Sequence, residues 1–93
     1  MIHFLVHSDR DTVGVVVVDG IKGGTEATGR VMETGATLMM RVLDDVPLGH
    51  KLAIADIAEQ GTVIKYGHDI GRAIAPVRKG QHVHVHNLRT KRW

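Results

Sequence analysis

Gln81-His82-Val83-His84-Val85-His86-Asn87 alternates apolar and polar residues with strict period two. That is the pattern of a β-strand, in which successive side chains point to opposite faces. Read this way, Val83 and Val85 pack on one face while His82, His84 and His86 stand on the other. At a rise of about 3.4 Å per residue, histidines two apart lie roughly 7 Å apart along a straight strand, and the outer two roughly 14 Å apart. Metal–nitrogen bonds are about 2.1 Å long. A straight strand therefore brings at most two of the three to one ion, a pair such as His84 and His86, and any further ligand comes from elsewhere. Imidazole also titrates near neutrality, which suits it to moving protons. The competing reading is a solvated strand face that tolerates histidine.

The rest of the chain carries the same short period. Ile2, Phe4 and Val6 alternate with His3, Leu5 and His7, and the valine-rich run 13–18 reads as a strand covered on both faces. Asp19-Gly20 turns the chain. Residues 21–28, with Gly23-Gly24 among them, read as a loop, and 29–32 and 37–43 as strands broken at Gly35. Asp44, Asp45, Pro47 and Gly49 mark a further turn. Residues 50–58 read as a strand followed by a single helical turn, in preference to a two-turn helix. Gly61 closes that segment. Residues 62–66 and 70–75 are strands on either side of Gly67, Pro76 ends the second, and Lys79-Gly80 turns into 81–87. Glycine recurs every few residues, which argues against long amphipathic helices. The expected fold class is all-β: one domain over residues 1–93, built of short strands with one short helical turn.

A chain of 93 residues buries only about 60% of the surface that it exposes when unfolded. It has a core but no room for a large private cavity, and it is expected to work with a partner. The absence of cysteine excludes disulfides, thiolate zinc sites and thiol catalysis. No run approaches the roughly 20 apolar residues of a membrane span, and Met1-Ile2-His3-Phe4 lacks the basic start of a signal peptide. The expected location is the cytoplasm, with no membrane partner.

One Phe, one Tyr and one Trp offer no stacking platform for single-stranded nucleic acid, so no nucleic-acid partner is expected despite a net charge of +2. Arg72, Arg78, Lys79, Arg89, Lys91 and Arg92 all follow Asp69, the last acidic residue. This pattern suits an anionic small molecule or an acidic partner surface as well as it suits a solvated basic edge. Gly20-Ile21-Lys22-Gly23-Gly24-Thr25 lacks the spacing of a phosphate-binding loop.

Three ordered motifs then carry a resemblance: Pro47-Leu48-Gly49-His50-Lys51; Val63-Ile64-Lys65-Tyr66-Gly67 with Ile70-Gly71; and Gly80 leading into Val83-His84-Val85-His86-Asn87. Together they resemble the SAF-type domain that begins the altronate and galactarate dehydratases, over nearly the whole chain. The resemblance implies a small β-clip fold and a stand-alone small subunit of a lyase acting on a 2-hydroxy acid, paired with a large dehydratase-like catalytic subunit. It implies iron as Fe2+, or another divalent metal, and an anionic small-molecule substrate. The implied reaction takes a proton from the carbon next to a carboxylate and expels sulfite or hydroxide from the β carbon. On this reading His84 and His86 serve as metal ligands or general base, and His50, Lys65 and Asn87 hold substrate oxygens.

Overall fold

The computed structural model describes residues 1–91. Arg92, the last of the late basic residues, and Trp93 lie outside the described residues. The described chain forms eleven short strands and no helix. In order these are β1 (Phe4–Val6), β2 (Val13–Val16), β3 (Gly20–Ile21), β4 (Glu26–Val31), β5 (Thr37–Arg41) and β6 (Val46–Pro47). They continue as β7 (Lys51–Ala53), β8 (Thr62–Lys65), β9 (His68–Ala73), β10 (His82–Val83) and β11 (Leu88–Arg89). A six-stranded sheet runs β10-β7-β2-β1-β4-β5, a three-stranded sheet runs β11-β9-β8, and β3 pairs with β6. All neighbours are antiparallel except β1 and β4. The all-β class expected from the short periodicity is the class observed.

Several expected boundaries move, each for a local reason. The helical turn after β7 is absent, because residues 54–58 pair with a distant segment instead of with themselves. Ile57 and Val77 exchange backbone hydrogen bonds at 2.7 and 2.8 Å, and Asp56 accepts from the Lys79 amide at 2.8 Å. The valine run stops as a strand at Val16; Val17 donates its N–H to the His3 carbonyl at 3.0 Å and leaves its side chain exposed. The loop expected over 21–28 shrinks to 22–25, since Gly20–Ile21 pairs with Val46–Pro47 and β4 already begins at Glu26. The strand expected over 70–75 runs His68–Ala73 instead.

The strand expected over 81–87 breaks after Val83, and residues 84–87 form a turn. Val83 is fully buried, but Val85 is 65% exposed where alternation had placed it inside.

Two apolar clusters hold these sheets together. The first gathers Phe4, Val6, Val16, Ile21, Ala27, Met40, Val42, Val46 and Leu52. Phe4 faces Gly29 across the parallel β1–β4 pair, and a Cβ at Gly29 would enter the space its ring fills. The second cluster gathers Val13, Ala53, Ile57, Val63, Ala73, Val77 and Val83, and joins the six-stranded sheet to the three-stranded one. β7 lies on the boundary, with Leu52 pointing into the first cluster and Ala53 into the second.

The β8–β9 hairpin closes through Tyr66 and Gly67, both with positive φ, 54° and 72°. Such a two-residue turn matches the twist of the flanking strands, yet it is unfavourable for a bulky residue such as tyrosine. Buried Asp11 supplies the compensation. Its carboxylate accepts from the amides of Gly67 (2.8 Å), Tyr66 (3.0 Å) and His7 (3.2 Å) and from the Ser8 hydroxyl (3.3 Å). Burial by itself pushes this carboxyl up, but the four donors outweigh it and hold it below the usual carboxylate range.

Replacing Asp11 with alanine leaves these donors without an acceptor, a loss of about 1–3 kcal/mol. Urea unfolding is expected to show that loss, and amide exchange at Tyr66 and Gly67 is expected to accelerate more than exchange at Phe4. Because the folded carboxyl is depressed, its stabilisation is present above the ordinary carboxylate value and fades as pH falls through the folded one.

Candidate active site

The register of β7 against β10 builds a histidine cluster. His82 lies opposite Leu52 and Val83 opposite Lys51, so the next pair along the same antiparallel register sets His84 across from His50. His50, Leu52, His82 and His84 thus originate on one side of the pair, and Lys51 and Val83 on the other. The imidazoles of His50 and His84 stack with centroids 4.6 Å apart, those of His50 and His82 are 5.0 Å apart, and those of His82 and His84 are 5.6 Å apart. His50 Nδ1 and His82 Nε2 share a hydrogen bond of 2.8 Å. One nitrogen from each of the three rings lies within 4.8 Å of the others, and all three residues are half-buried.

The straight-strand geometry of the sequence reading is therefore replaced by a convergent one. The trio that converges is His50, His82 and His84. His86 is exposed and packs against His82 at 5.4 Å, outside the trio.

Asn87 makes the bend possible. Its side-chain oxygen accepts from the His84 amide at 2.9 Å, and its side-chain nitrogen donates to the His82 carbonyl at 2.9 Å. These are the backbone groups that a neighbouring strand would otherwise satisfy, so the short amide side chain substitutes for one. The Asn87 and Leu88 amides both donate to the His84 carbonyl and complete the turn. Expected from the resemblance to hold substrate oxygens, Asn87 is buried and engaged with the backbone of His82 and His84. Asp44 anchors the other end, accepting from the His82 amide at 3.0 Å.

Lys65, at the end of β8, holds its ammonium 5.4 Å from the Tyr66 ring centroid. Lys51 is half-buried beside His50, and its pKa is pushed down first by burial and then by repulsion from Lys65. His82 is pushed down by burial and by the neighbouring charges of His50, His86 and His84, with Asp44 opposing. His84 is pushed down by burial, then by His50, Lys51 and His86. Both rings accordingly favour the neutral form, whose lone pair can take a proton or a metal ion.

The sequence marked Lys51 only as a polar residue at the Gly49-His50-Lys51 turn edge, without a role, and Asp44 only as a turn residue; Asp11 gave no signal, because its carboxylate acts on backbone amides distant in the chain. The remaining histidines are apart from the cluster: His3 accepts from the Thr28 amide at 3.0 Å, His7 packs edge-on to Tyr66, and His68 opens β9 in an exposed position.

Small β sheets thus present a cluster of imidazoles on one side of the β7–β10 pair. Residues 2–91 match the family described as the altronate/galactarate dehydratase SAF domain, and the chain belongs to that family. Among its relatives, (2R)-sulfolactate sulfo-lyase subunit alpha of Chromohalobacter salexigens is 56% identical over 92 residues, which span 99% of this chain and 98% of that one. The protein of the same name from Paracoccus pantotrophus is 49% identical over 49 residues, 53% of this chain and 73% of its own. Altronate dehydratase of Escherichia coli strain K12 is 45% identical over 80 residues, which cover 86% of this chain but 15% of that enzyme.

The depressed imidazoles have a measurable consequence. Below the ordinary histidine value of 6.5 the unfolded chain takes up protons at residues 82 and 84 that the folded chain resists. The melting temperature is expected to hold steady above that pH, to fall as pH drops below it, and to level off under the folded values. Replacing His82 and His84 together with asparagine is expected to flatten this slope in thermal melts followed by circular dichroism.

Proposed function

We propose that this chain is the small subunit of a sulfo-lyase that converts 3-sulfolactate to pyruvate and sulfite, active only with a separate large catalytic subunit. The observation that carries this reading is the end-to-end match, 99% of this chain against 98% of a sulfo-lyase alpha subunit. The term subunit alpha in the relative's name, and the small share of altronate dehydratase that the same domain occupies, support a large partner.

The chemistry required is a β-elimination. A base takes the proton from C2, the electron pair forms the C2–C3 double bond, and the C3–S bond breaks to release sulfite. The resulting enol takes a proton at C3 and becomes pyruvate. Because the C2 proton is barely acidic, the site needs a placed base and positive charge for the enediolate.

His86, exposed beside His82, is placed to be that base, with His84 as the alternative. Lys65 offers its ammonium to an anionic substrate oxygen. Asn87 orients rather than binds, since it sets the backbone from which His82 and His84 project. Imidazole nitrogens suit iron and other divalent transition metals as a donor set, and the spacing of His50, His82 and His84 within 4.8 Å allows them to share one ion. Divalent iron held there would supply Lewis-acid stabilisation of the developing negative charge.

A second reading, the small subunit of a sugar-acid dehydratase, is favoured by the 45% identity to altronate dehydratase. It uses the same proton abstraction and differs in the leaving group. A non-catalytic lid over the partner's site is a third reading, and it leaves the histidines dispensable.

Coexpression with a large dehydratase-like subunit, followed by assay of sulfite and pyruvate from sulfolactate and of keto acid from altronate and galactarate, separates these. Turnover of sulfolactate is expected only in the complex. His84→Ala and His86→Ala are each expected to lower it by about 100-fold or more while the two subunits still copurify. Full activity in both variants refutes a catalytic role for the cluster.

A further inference from the structure

The three-stranded sheet buries one face and turns the other to solvent, and the outer face gathers cations that the lyase chemistry does not use. Val63, Gly71 and Ala73 are buried, and Leu88, opposite Ala73, packs on the second apolar cluster. Alternation therefore sets Thr62, Arg72 and Arg89 on the outer face. The register places these three in one row, with Arg72 opposite Thr62 on β8 and opposite Arg89 on β11. Residues directly opposite in antiparallel strands have Cβ atoms about 5 Å apart. The irregularity at Val63/Ile64 brings Asp69 to the same face. There Lys91 reaches across, donating to Thr62 Oγ1 at 2.7 Å and pairing with Asp69 at 2.6 Å.

Asp69 thus neutralises Lys91 and leaves the two arginines without a carboxylate. The Lys91–Asp69 contact is the one ion pair among the described residues. Arg72 Nε is buried and has no hydrogen-bond partner among them. Arg89 uses one guanidinium nitrogen, which donates to the carbonyls of Val85 and Leu88. Like charges directly opposite on a sheet are destabilising, and a buried donor without an acceptor adds to that cost. Carboxylates arriving on this face remove both costs at once, because a guanidinium takes a carboxylate through two parallel N–H···O bonds.

Shape and position choose the occupant. The clefts beside β3 take their lining from that strand and its neighbours, with no residue of this sheet. An open sheet face suits an extended acidic chain better than a small anion, which is ordinarily held in a concave site. Through the Val85 carbonyl, Arg89 also ties the face to the histidine turn, so the two form one continuous surface.

We propose that Arg72 and Arg89 dock an acidic segment, a run of Asp or Glu side chains, on the large partner subunit. That the partner is the large subunit rests on the sulfo-lyase reading above, whereas the affinity of the face for carboxylates does not. Two of the basic residues that crowd the chain after Asp69 thereby acquire a role in assembly, distinct from substrate binding.

The test measures binding of the full chain to the large dehydratase-like subunit by titration calorimetry at low and at high salt. Arg72→Gln and Arg89→Gln are each expected to weaken binding by about tenfold and to reduce its salt dependence. Arg30→Gln, exposed on β4, is expected to leave both unchanged. Thermal melts of the isolated variants are expected to match or exceed the parent chain, since each substitution removes a like-charge pair. With the large subunit in excess, kcat of both variants is expected to return to the parent value. Without any variant, hexaglutamate titrated into the 15N-labelled chain is expected to give saturable shifts at residues 62, 72 and 89.

Absence of those shifts overturns the face. Unchanged affinity in both arginine variants overturns the docking and leaves the lyase reading standing, and equal weakening by Arg30→Gln also overturns it. Inorganic phosphate that shifts the same residues as strongly as hexaglutamate makes the face a free-anion site, and self-association lost in Arg72→Gln assigns it to a second copy of the chain; either result overturns the docking. A complex that depends on both arginines but does not turn over sulfolactate leaves the docking standing and removes the lyase reading.

Discussion

β7 is three residues long, and the placement of every chemical group in the molecule depends on its register. Leu52 and Ala53 are both fully buried, in different apolar clusters. A slip of one residue against β2 or β10 would turn Lys51 toward the first cluster and Leu52 out of it, burying an ammonium in place of a leucine. The apolar contacts on both faces thus lock the strand. Once it is locked, His50 must stand across from residue 84 and Lys51 beside Val83. Histidines separated by more than thirty positions in the chain meet because two neighbouring apolar residues have opposite faces to fill.

Polar groups of the fold are used mainly on backbone amides. Asp11 holds the tip of the β8–β9 hairpin, Asp44 holds the start of the histidine turn, and Asn87 holds its end. Each acts as an acceptor where the chain leaves regular pairing, which is where unsatisfied amides would otherwise accumulate in a protein this small. The electrostatic result is asymmetric. Asp44 opposes the lowering at His82 without cancelling it, and burial together with neighbouring charges keeps His82, His84 and Lys51 below their ordinary values.

The family's chemistry explains why a domain of this size is sufficient. In altronate dehydratase the matching region is 15% of the chain, whereas a sulfo-lyase alpha subunit matches it from end to end. On the proposed function, a rim carrying imidazoles contributes to a site that a partner subunit completes. The exposed Val85 and Leu48, adjacent in sequence to His84 and to the Gly49-His50 turn, give that rim an apolar border.

Alternation and glycine spacing are local signals, and they carried the all-β class, most strand positions and the motif turns. Alternation also set His82, His84 and His86 on one face, whereas the roles expected of His50, Lys65 and Asn87 came from the family resemblance. The local signals misplaced Val85 and kept His50 out of the histidine face, because period two was extended through a segment where Asn87 replaces the neighbouring strand and says nothing of a residue on a distant strand. A side chain that satisfies backbone groups leaves no mark on hydrophobic periodicity. The sequence by itself determined that this is a small β domain rich in histidine, because strand formation follows from nearest-neighbour pattern. Only the tertiary structure decided that His50 joins His82 and His84, and that Lys51 lies between Val15 and Val83. Those pairings follow from strand register and sheet packing, which depend on how distant apolar faces bury one another.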